Sequence, residues 1–295
     1  MKPSPFTLHL PDTLQEVLEL LATNANARVI AGGQSLMPML NLRLVSPDDL
    51  IDLSGIKELV GIRLDRGDVV IGAMTPQRDV EFSSLVDESL PLLKEAILNV
   101  GHRQTRNRGT IGGSICHLDP SAEQPTIAIA MDAQLTIQSV RGSRVAPMNE
   151  FALDLMTTCL QDDEVLTSIR FTPWGASAGY GFVEYGRRHG DFAIASAAVL
   201  VELEGDGTIK RSSLTLGGVA AIPFRVTLAE EILQGQQATE ELISLACAKA
   251  SECDALNDPT YPSWYRQRLA EQLLQRAIGV ALRRARASRS EERQS

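Results

Sequence analysis

Two short segments combine paired glycines with hydroxyl side chains: Ala31-Gly32-Gly33-Gln34-Ser35 and Thr110-Ile111-Gly112-Gly113-Ser114. Residues without a Cβ let backbone N–H groups converge on phosphate oxygens, and Ser35, Thr110 and Ser114 add hydroxyl donors beside them. Two such segments could hold a pyrophosphate from both sides. The plainer alternative is that each glycine pair makes a tight turn. Neither GxGxxG nor GxxxxGK[ST] occurs, so neither a dinucleotide fingerprint nor a P-loop is supported.

Other reactive side chains are sparse. Cys116, Cys159, Cys247 and Cys253 form no CxxC pair, and His9, His102, His117 and His189 show no HxH or HExxH spacing. A metal centre built by this chain alone is therefore not expected, and iron–sulfur or zinc chemistry would belong to another chain. Arg103, Arg106 and Arg108 alternate beside the second glycine segment, where they could neutralise phosphate, meet a partner or form a solvated basic turn. Cys116 reads as a small buried side chain. Arg187 or Arg188 with Asp191 reads as an internal ion pair.

These segments must be positioned by a chain of 295 residues, 44% hydrophobic, 22% charged and 4% aromatic, long enough for two domains. A formal net charge of −9 disfavours coating of nucleic acid or anionic lipid. No apolar run approaches the ~18–20 residues of a membrane span. The start, Met1-Lys2-Pro3-Ser4-Pro5, lacks the apolar core of a secretory signal, which leads to the expectation of a cytoplasmic protein.

Helical spacing of Leu14, Val17, Leu18 and Leu21 behind Asp12-Thr13 predicts a capped helix. Arg28-Val29-Ile30 reads as a strand that delivers the first glycine pair, and Leu36–Leu40 as a helix after it. Strands are expected at Leu50–Leu53 and Val69–Gly72, the latter preceded by a turn at Asp65–Asp68. A helix over Pro91–Val100 precedes the second glycine segment, read as a loop. A helix over Ile127–Met131 and strands at Ala133–Ile137 and Val165–Phe171 follow. Small residues over Trp174–Gly179 suggest a domain boundary, beyond which strands Tyr180–Tyr185, Ala197–Leu203 and Ser213–Gly217 precede helices Thr239–Cys253 and Tyr261–Leu282. Composition and spacing stop at a two-lobed protein that binds a phosphorylated cofactor or uses its glycines only for turns.

Resemblance carries further. The segment Ala31–Pro38, the segment Arg106–Ile115 with His117-Leu118-Asp119-Pro120 after it, Gly186–Ala193 (GRRHGDFA) and Tyr265–Ala270 (YRQRLA) together resemble the FAD-binding medium subunit of molybdenum hydroxylases. That family includes the flavoprotein subunits of carbon monoxide dehydrogenase, xanthine dehydrogenase and N-heterocycle dehydrogenases. The resemblance spans nearly the whole chain. It implies an α+β fold: a two-lobed FAD-binding domain of the vanillyl-alcohol-oxidase-like (PCMH-type) class at 1–175, with lobes of about 1–55 and 56–175, then a smaller α/β C-terminal domain at 176–284 and a flexible tail at 285–295.

By the same resemblance Ala31, Gly32, Gly33, Gln34 and Ser35, with Thr110, Ile111, Gly112, Gly113 and Ser114, embrace the pyrophosphate of a noncovalent FAD. Glu123 matches an acidic family residue suited to accept from ribose or adenine, and Leu166 an apolar residue near the flavin. No catalytic side chain and no metal ligand is implied here. Molybdopterin and two [2Fe–2S] clusters are expected on a large and a small partner subunit, in a heterotrimer or a dimer of heterotrimers. This chain would pass electrons from those clusters to an external acceptor while a small substrate, an N-heterocyclic aromatic for instance, is hydroxylated on the large subunit. Relatives place a Lys just before the third motif where this chain reads Phe182-Val183-Glu184-Tyr185, which puts a cationic contact to the isoalloxazine in doubt. Tyr185 and Phe192 are read as core aromatics rather than ring contacts. The clustered cysteines of the hydroxybenzoyl-CoA reductase branch are absent. A free-standing FAD oxidase or reductase of the same fold and a phosphate-binding scaffold are the alternatives.

Overall fold

The structure, a computed structural model, describes residues 2–188 and 190–292. It opens with β1 (Thr7–His9), α1 (Leu14–Thr23), β2 (Ala27–Ile30), α2 (Leu36–Asn41) and β3 (Asp49–Asp52), whose strands pair in parallel in the order β1-β3-β2. Helix α1 starts at Thr13 because its hydroxyl accepts from the Glu16 N–H while the Glu16 carboxylate accepts from the Thr13 N–H. Its buried face, Leu14, Val17, Leu18 and Leu21, packs with Ile51 and Leu53. Pro38 is tolerated in α2 because it stands at the third helical position, where an N–H has no intrahelical acceptor. The first glycine pair is thus the connection from the end of β2 into α2.

The second lobe contains β4 (Ile62–Asp65), β5 (Asp68–Gly72), α3 (Gln77–Phe82), α4 (Ser84–Ser89), α5 (Pro91–Ile97), α6 (Arg103–Arg106), α7 (Ile111–His117) and α8 (Glu123–Ala130). It continues with β6 (Gln134–Ser139), β7 (Gly142–Pro147), α9 (Met148–Phe151), β8 (Ala152–Asp154), β9 (Thr157–Thr158) and β10 (Val165–Phe171). Its five-stranded antiparallel sheet runs β4-β5-β10-β6-β7. Strand β10 coincides with the expected one. Two differences from the sequence reading bear on the site. The second glycine segment is the first turn of α7 rather than a loop, and α8 begins at Glu123, four residues before the expected Ile127. Pro125 does not prevent that early start, since it again occupies the third helical position.

The last lobe is the antiparallel sheet β11 (Gly179–Tyr185), β12 (Ala195–Leu203), β13 (Ile209–Gly217) and β14 (Phe224–Arg225), followed by α10 (Thr227–Leu233), α11 (Glu240–Cys247) and α12 (Ser263–Glu292). Helix α12 crosses β11 and β12 closely because glycine lines the contact: a Cβ at Gly179 would lie 2.6 Å from the Ala285 nitrogen and 2.8 Å from the Ala281 carbonyl carbon. The tail expected from residue 285 is instead a continuation of α12 to Glu292, anchored by the fully buried Ala285. Its Ala and Arg content favours helix, and Arg284 ties it down by donating to Glu95 of α5 and the Tyr180 carbonyl of β11. Residues 293–295 lie outside the described residues. No helix among the described residues is long and apolar enough to cross a membrane.

Candidate functional site

Segment 102–114 is the meeting point of all three glycine-bearing motifs. A Cβ at Gly32 would lie 2.7 Å from the Arg108 carbonyl carbon and 2.8 Å from Gly109 Cα, so the first glycine pair rests directly on the backbone that leads into the second. A Cβ at Gly113 would stand 3.5 Å from Ala31 Cβ. From the last lobe, Gly190 in the β11–β12 loop (φ +88°) abuts the His102 ring, whose Nδ1 would lie 2.7 Å from a Cβ. The Gly218 N–H donates to the Pro120 carbonyl at 2.7 Å, tying the His117–Pro120 segment to the same lobe. His189 of the third motif lies outside the described residues.

The two glycine segments contribute differently. In the first, Gly33 adopts φ +72°, the left-handed region that glycine enters without a Cβ penalty, and the Gln34 side chain folds back to donate to the Gly32 carbonyl at 3.1 Å. The N–H groups of Gly33, Gln34 and Ser35 find no acceptor among the described residues, and Ser35 makes no side-chain cap to α2. Free donors of this kind, next to a helix start, suit an anion.

The second segment has spent four of its five amides on the protein. Ile111 and Gly112 donate to the carbonyls of Thr75 (3.1 Å) and Ala73 (2.9 Å), Gly113 donates to the Thr110 hydroxyl (3.0 Å) and Ser114 to the Thr110 carbonyl (3.2 Å). Thr110 is therefore the buried N-cap of α7 rather than a free donor. Gly112 is needed where α7 meets the end of β5, since a Cβ would fall 2.6 Å from the Ala73 oxygen. Among the described residues the Thr110 N–H and the Ser114 hydroxyl are the donors of this segment left without a partner. Free amides come from one side and a rigid, close-set wall from the other. This cradle, which any Cβ at Gly32 or Gly113 would crowd, fits a pyrophosphate-bearing cofactor.

Around the cradle, Arg106 turns away from anion binding. Its Nε donates to Glu81 at 2.8 Å and its Nη1 to the Val100 carbonyl at 3.0 Å, while Arg103 and Arg108 are exposed. Leu166 is buried in the core of the second lobe on β10, the strand beneath α7. The Cys116 thiol, pushed up to about 12 by burial, is no nucleophile at neutral pH. Arg187 approaches Asp191 only at 3.9 Å and is exposed, which makes the expected ion pair a weak one. Tyr185 and Phe192 are not core aromatics: Tyr185, at the end of β11, is 44% exposed and Phe192, in the connection to β12, is 69% exposed. Among the described residues no group of three His, Cys, Asp or Glu side chains could hold a metal ion.

Glu123, expected as a cofactor acceptor, stands at the start of α8 with 8% exposure, and Glu184 of β11 is its electrostatic neighbour. Burial pushes the Glu123 carboxyl up to about 7, and burial followed by the neighbouring Glu123 charge pushes Glu184 up to about 8. One Glu184 oxygen is buried and unpartnered, as are both polar atoms of the adjacent Gln124 side chain. Sequence reasoning registered Glu184 only as a missing lysine. The available signal was its alternation on β11, which turns it to the same side as the buried Phe182. Close by, a cavity of about 510 Å³ is walled by Ser121, Arg187, Asp191, Phe192, Tyr261 and Arg266 among others.

A parallel βαβ lobe joined to an antiparallel lobe, with a glycine cradle at the junction and a third lobe closing on it, defines an FAD-binding flavoprotein. Residues 4–174 match the family described as the FAD binding domain in molybdopterin dehydrogenase, and residues 180–281 the CO dehydrogenase flavoprotein C-terminal domain. The chain is 34% identical to 6-hydroxypseudooxynicotine dehydrogenase complex subunit alpha of Paenarthrobacter nicotinovorans, over 97% of each. It superposes on a chain of carbon monoxide dehydrogenase from Hydrogenophaga pseudoflava with a TM-score of 0.94 at 37% identity, covering 96% of this chain and 99% of that one. For quinoline 2-oxidoreductase from Pseudomonas putida 86 the TM-score is 0.92 at 34% identity, with 97% and 99% covered. The chain belongs to the family of FAD-binding medium subunits of molybdenum hydroxylases. It is thus an oxidoreductase subunit.

Proposed function

We propose that this chain carries the FAD through which electrons leave the [2Fe–2S] clusters of a small partner subunit for an external acceptor, while a large molybdenum-cofactor subunit hydroxylates a small substrate. The observation that carries this reading is the junction of the glycine segments, Gly32 against Arg108 and Gly113 against Ala31, with free amides at Gly33, Gln34 and Ser35. FAD, when bound, supplies a centre able to take up electrons singly and give them up in pairs.

The protein's own part is to bind, orient and insulate. In this reading Ala31–Ser35 receive the pyrophosphate on free N–H groups. Thr110–Ser114 close the other side, with the Ser114 hydroxyl as a donor. Glu123 accepts from cofactor hydroxyls or adenine, and Leu166 supports the apolar floor under α7. Attachment is noncovalent in this reading, since burial keeps the Cys116 thiol protonated. We place the division between the FAD-binding and C-terminal domains at Trp174–Gly179. Four unpaired cysteines accord with a cytoplasmic setting. The substrate class favoured is an N-heterocyclic aromatic, the kind named by quinoline 2-oxidoreductase.

Co-expression with the neighbouring genes tests this assembly. The chain is expected to co-purify with molybdenum- and iron-containing subunits as a heterotrimer or its dimer, and adding substrate without acceptor is expected to bleach its flavin absorbance. A chain that purifies alone and oxidises a substrate by itself would replace this reading with a free-standing oxidase.

A further inference from the structure

The backbone on which the first glycine segment rests is itself braced from behind. Segment 75–77, which leads from β5 into α3, runs along segment 109–111. The Gln77 N–H donates to the Gly109 carbonyl at 2.8 Å, Pro76 and Thr110 face each other as an antiparallel bridge, and the Ile111 N–H donates to the Thr75 carbonyl at 3.1 Å. Thr75 is fully buried and held in turn, its hydroxyl accepting from the Gly61 N–H at 2.9 Å and donating to the Gly61 carbonyl at 3.1 Å. The Gly109 N–H donates to the Thr105 carbonyl at 2.7 Å, so both backbone groups of Gly109 are engaged by the protein.

What these bonds leave open is the side of Gly109 that a side chain would fill, and Gln77 fills it. A Cβ on Gly109 would lie 2.8 Å from Gln77 Oε1 and 3.1 Å from its Cδ, with the Thr105 carbonyl oxygen also at 3.1 Å. A Cβ on Gly32 would lie 2.8 Å from Gly109 Cα. Gly32, Gly109 and Gln77 therefore touch in succession, from the segment with the free amides to a side chain in the interior. An amide is a costly occupant of that interior place. Gln77 is 5% exposed, and its Oε1 is buried with no hydrogen-bond partner, which destabilises a fold. The oxygen adds nothing by pairing; what the side chain supplies here is shape.

On the cofactor reading above, on which this rests, we propose that Gln77 is a positioning residue for FAD: its side chain holds Gly109 against Gly32 and so sets the separation of the two glycine segments. Gln77 acts through Gly109 and not by touching the cofactor. Its truncation lets segment 108–109 sink into the vacated space, and the N–H groups of Gly33, Gln34 and Ser35 lose the seat that makes them converge. A site held about 1 Å too loosely loses much of its binding, which gives a buried brace leverage over affinity.

Titration of the flavin-free full-length chain with FAD, well below its unfolding temperature and beside a thermal unfolding curve, separates positioning from stability. Gln77→Ala is expected to bind FAD about tenfold more weakly while its flavin-free form melts close to the parent, the lost packing being offset by removal of the orphaned oxygen. Gln77→Met keeps the length and drops the oxygen, so its affinity should return to within about twofold of the parent's and its melting should be no lower. Gly109→Ala should weaken binding by itself, since the buried Gln77 amide blocks the methyl. Added to Gln77→Ala it should weaken binding no further, because the methyl enters the space the amide has left. Undiminished affinity in Gln77→Ala or in Gly109→Ala, a Met variant as weak as the Ala variant, or additive losses in the double variant would overturn the proposal. So would a flavin-free Gln77→Ala chain that does not fold, which would make the residue one of stability alone. A parent chain that binds no FAD would instead remove the cofactor reading beneath it.

Discussion

Gly32→Ala is expected to leave a folded chain that has lost its FAD. The added methyl would sit 2.7 Å from the Arg108 carbonyl carbon and 2.8 Å from Gly109 Cα, against the roughly 3.5–4.0 Å at which carbon atoms rest comfortably. Both obstacles are backbone, so neither can swing aside as the end of a side chain would. The first glycine segment must therefore lift off the second, and with it go the free N–H groups of Gly33, Gln34 and Ser35 that its geometry presents. Strain of this kind costs about 1–3 kcal/mol locally, which a chain of this size tolerates. Cofactor affinity depends on several donors converging, so a loss of at least about 100-fold, close to 3 kcal/mol, is expected. Equilibrium titration with FAD, beside a thermal unfolding curve, separates the two effects. Undiminished FAD affinity in this variant would mean the cradle has been misplaced.

Arg266→Met should destabilise the last lobe more than any surface change. Arg266 is 8% exposed, and its Nη1 donates to the Ile194 carbonyl at 2.7 Å and the Gly218 carbonyl at 2.6 Å, while Nη2 reaches Asp258 at 2.7 Å. The guanidinium also lies over Tyr261, 5.6 Å from the ring centre. One fork thus fixes the end of the β11–β12 loop, the turn after β13 and the entry to α12. Methionine matches its length but leaves two interior carbonyls without donors, a loss of about 3 kcal/mol or more. Unfolding of the last lobe should begin several degrees lower. Arg266→Lys should recover only part of this, because an ammonium cannot span the same acceptors. A melting curve for Arg266→Met that overlies the parent's would contradict this account of how the third lobe is held.

Much of this arrangement was legible in the chain. The Asp12-Thr13 cap before Leu14, Val17, Leu18 and Leu21 announces α1, and the Val165–Phe171 run marks β10. Position along the chain also showed that each glycine pair lies near the mouth of an apolar segment. Missed features share a physical cause, which is that tertiary contact decides them. The segment with Gly112 and Gly113 reads as a loop, yet Thr110 caps it and Ala73 leaves no room for a side chain at Gly112, so it opens α7. Tyr185 and Phe192 look like core residues by type, but the end of β11 and the connection after it leave them in solvent. The charged end of the chain looks frayed in isolation, although Ala285 holds it against the glycines of β11.

The most direct test of the central claim, that this chain builds an FAD site at the junction of its glycine segments, is the flavin content of the purified full-length protein. Absorption is measured before and after acid precipitation, and the released flavin is identified by chromatography. The account predicts a yellow protein with one flavin per chain, all of it released by acid and all of it FAD. A colourless chain that takes up no added FAD, or a flavin that stays with the precipitate, would contradict it.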